Sequence, residues 1–253
     1  DFKDVIWSKY SAPQAFYPLA GRLIPWFAAV AVILMVVGLY MGFFVAPTDF
    51  QQGESYRIIF VHVPAAWMSM FLYVVMAIWA GVGMGLNARL SFMMAQAIAP
   101  TGAMFTFLAL LTGAMWGKPT WGAWWVWDAR LTSELILLFQ YAGVMLLRTS
   151  IDDLRRADRS SAVFALVGVV NVPIIYYSVQ WWNTLHQGAS VSMATGSKMA
   201  ATMLMAMLIM TIAFWMYSIA VILARVRCVM DERESLPTWD EKPAAMPEAV
   251  EAR

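Results

Sequence analysis

Charge is scarce in this chain and cysteine is nearly absent. Asp, Glu, Lys and Arg make up 13% of the 253 residues, against about 25% in soluble domains. That excludes an ordinary water-soluble fold. Cys228 is the single cysteine, so an internal disulfide is excluded. No GxxxxGK(S/T) phosphate loop occurs, so any ATP step is expected from another subunit. The net charge is +1, and the basic residues sit at helix ends rather than in a patch, which argues against nucleic acid as a partner. Only two histidines are present. What the chain has instead is apolar surface: 61% of its residues are hydrophobic and the mean hydropathy is +0.64. Residues 1–22 are mixed polar and aromatic, and the apolar run that follows is long enough to span a membrane, so a cleavable signal peptide is not expected.

Crossing roughly 30 Å of hydrocarbon takes about 20 apolar residues as a helix. Six segments qualify: 23–46, 60–86, 92–115, 131–147, 162–179 and 199–224. The predicted fold is all-α, a single integral membrane domain over 1–253 built as a bundle of six transmembrane helices. The fourth span is the shortest and carries Glu134 and Gln140. The fifth contains Asn171 and Pro173, which predicts a kink. Lys and Arg fix the direction of the chain. Arg57, Lys118, Arg130 and Lys198 fall on one side, and the other thirteen of the 17 fall opposite. This asymmetry places both termini in the cytoplasm and loops 47–59, 115–130 and 180–198 outside. Residues 231–253, charged and rich in Pro and Ala, read as a flexible cytoplasmic tail.

The second outer loop reads WGKPTWGAWWVWDARLT, Trp116–Thr132. Trp116, Trp121, Trp124, Trp125 and Trp127 crowd together there. A helical core favours aliphatic side chains, which carry no indole N–H to satisfy. A water-exposed loop would not leave so much flat apolar area uncovered. The segment should therefore rest against a membrane interface or against a planar ligand held at one. Interfacial belts account for Trp26, Trp67, Trp79 and Trp215 and for two or three of the loop tryptophans. Five, with Trp181 and Trp182 in the next outer loop, exceed a belt. Trp121, Trp124, Trp125 and Asp128 fall at helical spacing after Pro119 and Thr120, which predicts a short helix lying flat in the interface.

His62 opens the second span in RIIFVHVPAAW, and His186 lies in WWNTLHQGAS. A lone histidine at a span end is most often an interfacial, hydrogen-bonded residue. Here both fall on the tryptophan side. Neutral imidazole is a good axial ligand for haem iron, and two from separate segments can hold the iron from opposite faces. Tryptophans suit the macrocycle. Arg57, Lys118 and Arg130 suit its two propionates, with lipid phosphates as their alternative ligand.

The run WGxxWGxWWxWDxRLT resembles the tryptophan-rich WWD signature of haem-handling membrane proteins. The flanking blocks, Arg57–Met68 and Trp181–Ser190, are similar to those of the haem exporter protein C (CcmC) family of bacterial cytochrome c maturation, and the resemblance covers nearly the whole chain. It implies a haem delivery protein of the bacterial inner membrane rather than an enzyme. It implies that His62 and His186 are axial ligands of a transiently and non-covalently held haem b; the CxxCH pattern of covalent attachment is absent. Trp116, Trp121, Trp124, Trp125, Trp127, Asp128, Arg130 and Arg57 complete the expected haem site, shallow and outward-facing, with one edge open for hand-over. The partners implied are a periplasmic haem chaperone (CcmE), an ABC transporter (CcmA and CcmB) that hydrolyses ATP, and a small membrane protein (CcmD).

Two other readings compete. A membrane subunit of an ABC-type exporter that itself conducts haem or another solute would show broken or polar helices near the midplane; Asn171 with Pro173 is the one hint. A transmembrane electron carrier with b-type haems would need ligands at two depths, which two histidines on one surface do not supply. Glu134 is a candidate functional carboxylate, with pairing to Arg130 four positions back as the favoured reading. Asp128 is expected to cap the fourth span or to orient Arg130. Met115 and Met193 lie outward, but imidazoles are the better iron ligands; the other methionines serve packing.

Overall fold

Long aliphatic runs without charge have no water to satisfy their backbone inside a bilayer, so they fold as helices that satisfy it internally. The computed structural model contains six helical segments long and apolar enough to cross a membrane. It describes residues 11–186, 191–192, 196–197 and 199–235; Met193, Lys198 and the tail beyond 235 lie outside them. Helix α1 (Pro13–Tyr40) closes in a π-helical turn, Met41–Val45, and a 3-10 turn, Glu54–Ile58, leads into α2 (Ile59–Leu86). Then come α3 (Arg89–Trp121), α4 (Ala129–Ser150), α5 (Leu154–Gly168), α6 (Asn171–Trp181) and α7 (Ala201–Ser235). Two-residue strands β1 (Val191–Ser192) and β2 (Gly196–Ser197) pair antiparallel between α6 and α7.

All six predicted spans are present, and most helices outrun their apolar segments because a helix need not stop where the hydrocarbon does. Helix α7 continues through Arg225, Arg227 and Arg233 to Ser235, so residues 231–235, expected in the tail, are helical. The fifth span is two helices, broken at Val169–Val170. Pro173 has no N–H to offer Val169, whose carbonyl instead accepts from Val172 N at 3.0 Å. The kink expected at Asn171–Pro173 is thus a break just ahead of it. The Asn171 side chain bridges the gap, donating to Ser133 O at 2.9 Å on α4.

Helix α2 is the centre of the bundle. Phe60, Ala65, Met68, Leu72, Tyr73, Met76 and Ala80 are all buried among α3, α5 and α7. Helix α1 lies at the edge against α7, with Trp26, Val32, Ile33 and Val36 left facing outward, as a lipid-facing helix requires. Helices α3 and α4 meet where Gly102 lacks a side chain: a Cβ there would enter the ring of the buried Tyr141, whose hydroxyl donates to Ser69 O on α2 at 2.7 Å.

At the end of the bundle where the arginines gather, Asp158 of α5 is held between two of them. Arg233 of α7 donates to both carboxylate oxygens at 3.0 and 2.8 Å, and Arg148 of α4 lies 3.4 Å away. Gln96 Oε1 on α3 accepts from both arginines, at 3.2 and 3.1 Å. Four helices are joined through one carboxylate and one amide. Removing a partner from a buried ion network costs about 3 to 5 kcal/mol, chiefly because the opposite charge stays buried. Asp158→Ala should therefore destabilise the bundle by an amount of that order in reversible unfolding in detergent. Asp158→Ala combined with Arg233→Met should recover part of the loss.

Candidate functional site

The tryptophan segment is not a flat helix. Helix α3 runs past residue 115, takes Pro119 into its last turn and ends at Trp121. Gly122 then turns the chain with φ at 78°, a left-handed conformation that glycine adopts without strain. Lys118 Nζ donates to the Gly122 carbonyl at 3.1 Å. Residues 123–128 are irregular up to Asp128, which caps α4 by accepting from Leu131 N at 2.8 Å. Helical spacing therefore does not group Trp121 with Trp124 and Trp125; the αL turn at Gly122 separates them.

Trp116 and Trp121, both on α3, line a cleft of about 240 Å³ together with His62, His186, Arg130 and Glu134. Trp116 is fixed by its indole N–H, which donates to Gln52 Oε1 of the first loop at 2.8 Å. The ring of Trp116 stands edge-on to His62, with centres 5.6 Å apart, and Trp121 lies 6.1 Å from His186. The two imidazoles, distant in sequence, have centres 6.3 Å apart and planes inclined by 35°. A metal taking one nitrogen from each ring at about 2.0–2.1 Å separates two imidazole centres by roughly 6 Å.

The protonation of His62 follows from its neighbour. Thr112 Oγ1 lies 2.6 Å from Leu108 O and 3.3 Å from Ala109 O, both acceptors. Its one proton goes to that backbone. Toward His62 Nδ1, 3.0 Å away, the hydroxyl can then only accept. His62 therefore carries its proton on Nδ1, and Nε2 keeps a free lone pair. Gly113 makes room for this ring: a Cβ there would sit 3.0 Å from His62 Cε1.

The cleft is deeper than a surface site. Ala66 and Met70 line it one and two turns beyond His62 along α2, so it reaches roughly 11–12 Å inward at helical rise. Trp67, Tyr176 and Met207 form part of the inner wall. Glu134 is buried there. Ser69 Oγ donates to its Oε1 at 2.6 Å, while Oε2 has no partner. The expected Arg130–Glu134 ion pair is absent among the described residues. Arg130 reaches the other way and donates to Ile175 O on α6 at 2.9 Å, because each side chain finds a partner on a different neighbouring helix.

The remaining candidates lie outside the cleft. Arg57 pairs with Glu54 and donates to Gly42 O and Ala46 O at 2.6 and 3.1 Å, closing the carbonyl end of α1. Trp124 and Trp127 are exposed, and Trp125 packs edge-on against Trp127 with centres 5.3 Å apart. Met115 is exposed, and neither it nor Lys118 lines the cleft. Asp128 does not line it either; besides its cap it accepts from Thr184 of the loop that carries His186. Sequence reading missed Thr112, Gln52 and Thr184. Only Thr112 left a trace, as a hydroxyl in the outer half of an apolar span.

Six helices long and apolar enough to span, with a tryptophan-walled cleft holding two imidazoles at one end, define a multi-pass membrane protein. Comparison with protein families matches residues 6–241 to Heme exporter protein C. The chain is 54% identical over 178 residues to Heme exporter protein C of Escherichia coli K12, covering 70% of this chain and 73% of the relative. It is 49% identical to the Bradyrhizobium diazoefficiens protein of that name over 215 residues, 85% of this chain and 81% of the relative. The Haemophilus influenzae protein of the same name is 42% identical over 230 residues, 91% and 94% of the two chains. The chain belongs to the Heme exporter protein C family.

The packing of Gly113 against His62 gives a prediction independent of any ligand. Gly113→Val should push the imidazole off Thr112 and into the cleft. In a His186→Gln background, where one histidine reports, His62 should then react with diethyl pyrocarbonate several times faster than with Gly113 intact.

Proposed function

We propose that this protein binds haem in the cleft between His62 and His186 and passes it to a recipient protein outside the membrane during cytochrome c maturation. The single observation that carries the reading is the imidazole pair. Two rings sit at the separation of two axial ligands, and on His62 the ring nitrogen opposite Thr112 is the one with the lone pair. The haem is b-type cargo, held without a covalent bond. Neutral imidazole serves iron on both faces. Trp116 and Trp121 shield the macrocycle from water. Arg130, the one cation among the described residues that line the cleft, pairs with a propionate; Arg57 and Lys118 act instead on backbone carbonyls.

The excess of Lys and Arg at the opposite end supports a placement in the bacterial inner membrane with both termini cytoplasmic and the cleft facing the periplasm. The exposed Trp124, Trp127, Trp181 and Trp182 supply an aromatic rim where the interface and the recipient, a periplasmic haem chaperone (CcmE), meet the cleft. This chain delivers and does not catalyse. ATP hydrolysis belongs to an ABC transporter partner (CcmA and CcmB), with CcmD as the small membrane companion.

The visible spectrum of the purified protein tests this. His62→Ala and His186→Ala should each insert normally and retain less haem than wild type. A double variant with an unaltered haem spectrum would end the proposal. Thr112→Val should weaken haem binding by about 10- to 100-fold, the usual cost of losing an outer-shell partner of a metal ligand. Thr112→Ser, which keeps the acceptor, should bind like wild type in the same spectral titration.

A further inference from the structure

Asp128 has two carboxylate oxygens and holds a different group with each. Oδ1 accepts from Leu131 N at 2.8 Å and caps α4. Oδ2 accepts from the hydroxyl of Thr184, in the loop that follows α6. An ionised carboxylate can only accept, so the proton of Thr184 points to Asp128. The lone pairs left on Thr184 Oγ1 accept from the backbone N–H of His186 at 2.9 Å. The direction of every proton in this chain is thereby fixed, from the His186 amide through Thr184 to Asp128.

We infer that Asp128 and Thr184 are positioning residues for His186. They form a hook that ties the backbone of His186 to the first turn of α4, and so hold its imidazole across the cleft from His62. Helix α6 ends at Trp181 and its cap, Trp182, is already extended, so no helix carries His186. On the near side of the loop, α6 is tied to the same turn of α4 by Arg130, which donates to Ile175 O at 2.9 Å. Both ties converge on the start of α4, and a hydrogen bond to a carboxylate is about twice as strong as a neutral one. Asp128 does not line the cleft, so it acts on the ligand through the loop and not by touching it.

This inference rests on the reading of His186 as an iron ligand, and the experiment separates the two. Full-length protein is loaded with haem, and ferric spectra and affinities are compared for wild type, Thr184→Val, Thr184→Ser, Asp128→Ser and His186→Ala. Serine at 128 still caps a helix but lacks the second oxygen, so it removes the hook and keeps the cap. Thr184→Val and Asp128→Ser should lose about 10- to 100-fold in haem affinity. They should convert a six-coordinate low-spin spectrum to a partly high-spin one, and added imidazole should restore it. Thr184→Ser should match wild type. Without haem, the His186 amide should exchange with deuterium faster in Thr184→Val than in wild type. Wild-type spectra and affinity in both hook variants, with His186→Ala impaired, would overturn the hook alone. A wild-type spectrum in His186→Ala would overturn the hook and the ligand reading together.

Discussion

Within a bilayer a polar hydrogen left without an acceptor inside the protein is costly, and the arrangement of the site depends on how one such hydrogen is placed. Several span hydroxyls, among them Thr106, Ser161, Thr211 and Ser218, bond back to carbonyls of their own helices, the ordinary way for Ser and Thr to exist in a span. Thr112 does the same, and by doing so becomes a pure acceptor for the one histidine of the spans. A hydroxyl that reads as routine helix chemistry thus fixes which nitrogen of His62 faces the cleft. Metal-binding imidazoles are commonly oriented by a hydrogen bond to their other ring nitrogen; at His62 a hydroxyl makes that bond, without a carboxylate, whose charge would be costly at that depth.

The fold was legible because its signals are local. Runs of apolar residues gave six spans, and the Lys and Arg pattern sorted their ends. Pro173 announced the interruption in the fifth. The site was legible in type and not in shape. Five tryptophans marked the region, yet two of them, Trp116 and Trp121, line the cleft, and they belong to the preceding helix. The spacing that suggested a flat helix was defeated by Gly122, a single left-handed residue after the last turn of α3. Arg130 and Glu134 stand at an ideal i, i+4 spacing, but that rule describes isolated helices. In a bundle, a carbonyl on α6 and a hydroxyl on α2 compete for the same groups and win. The meeting of His62 with His186 is a tertiary fact, and no periodicity in either segment encodes it.

The two ends of the bundle are stabilised by different chemistry. At the arginine end, charge and amide groups link α3, α4, α5 and α7 through Asp158 and Gln96, a rigid closure. At the tryptophan end the links are longer reaches between loops and helices: Gln52 to Trp116, Arg57 to the end of α1, Thr184 to Asp128.

The depth of the cleft governs how a flat molecule leaves it. Held between the two imidazoles, with walls descending past Met70 and Met207, such a guest would stand upright in the bundle like a coin in a slot. A recipient approaching from above can grasp the upper rim alone. Withdrawal would then be a sliding movement along the bundle axis, past the sulfur and indole surfaces of Met70, Met207 and Trp67, instead of an opening of one face first.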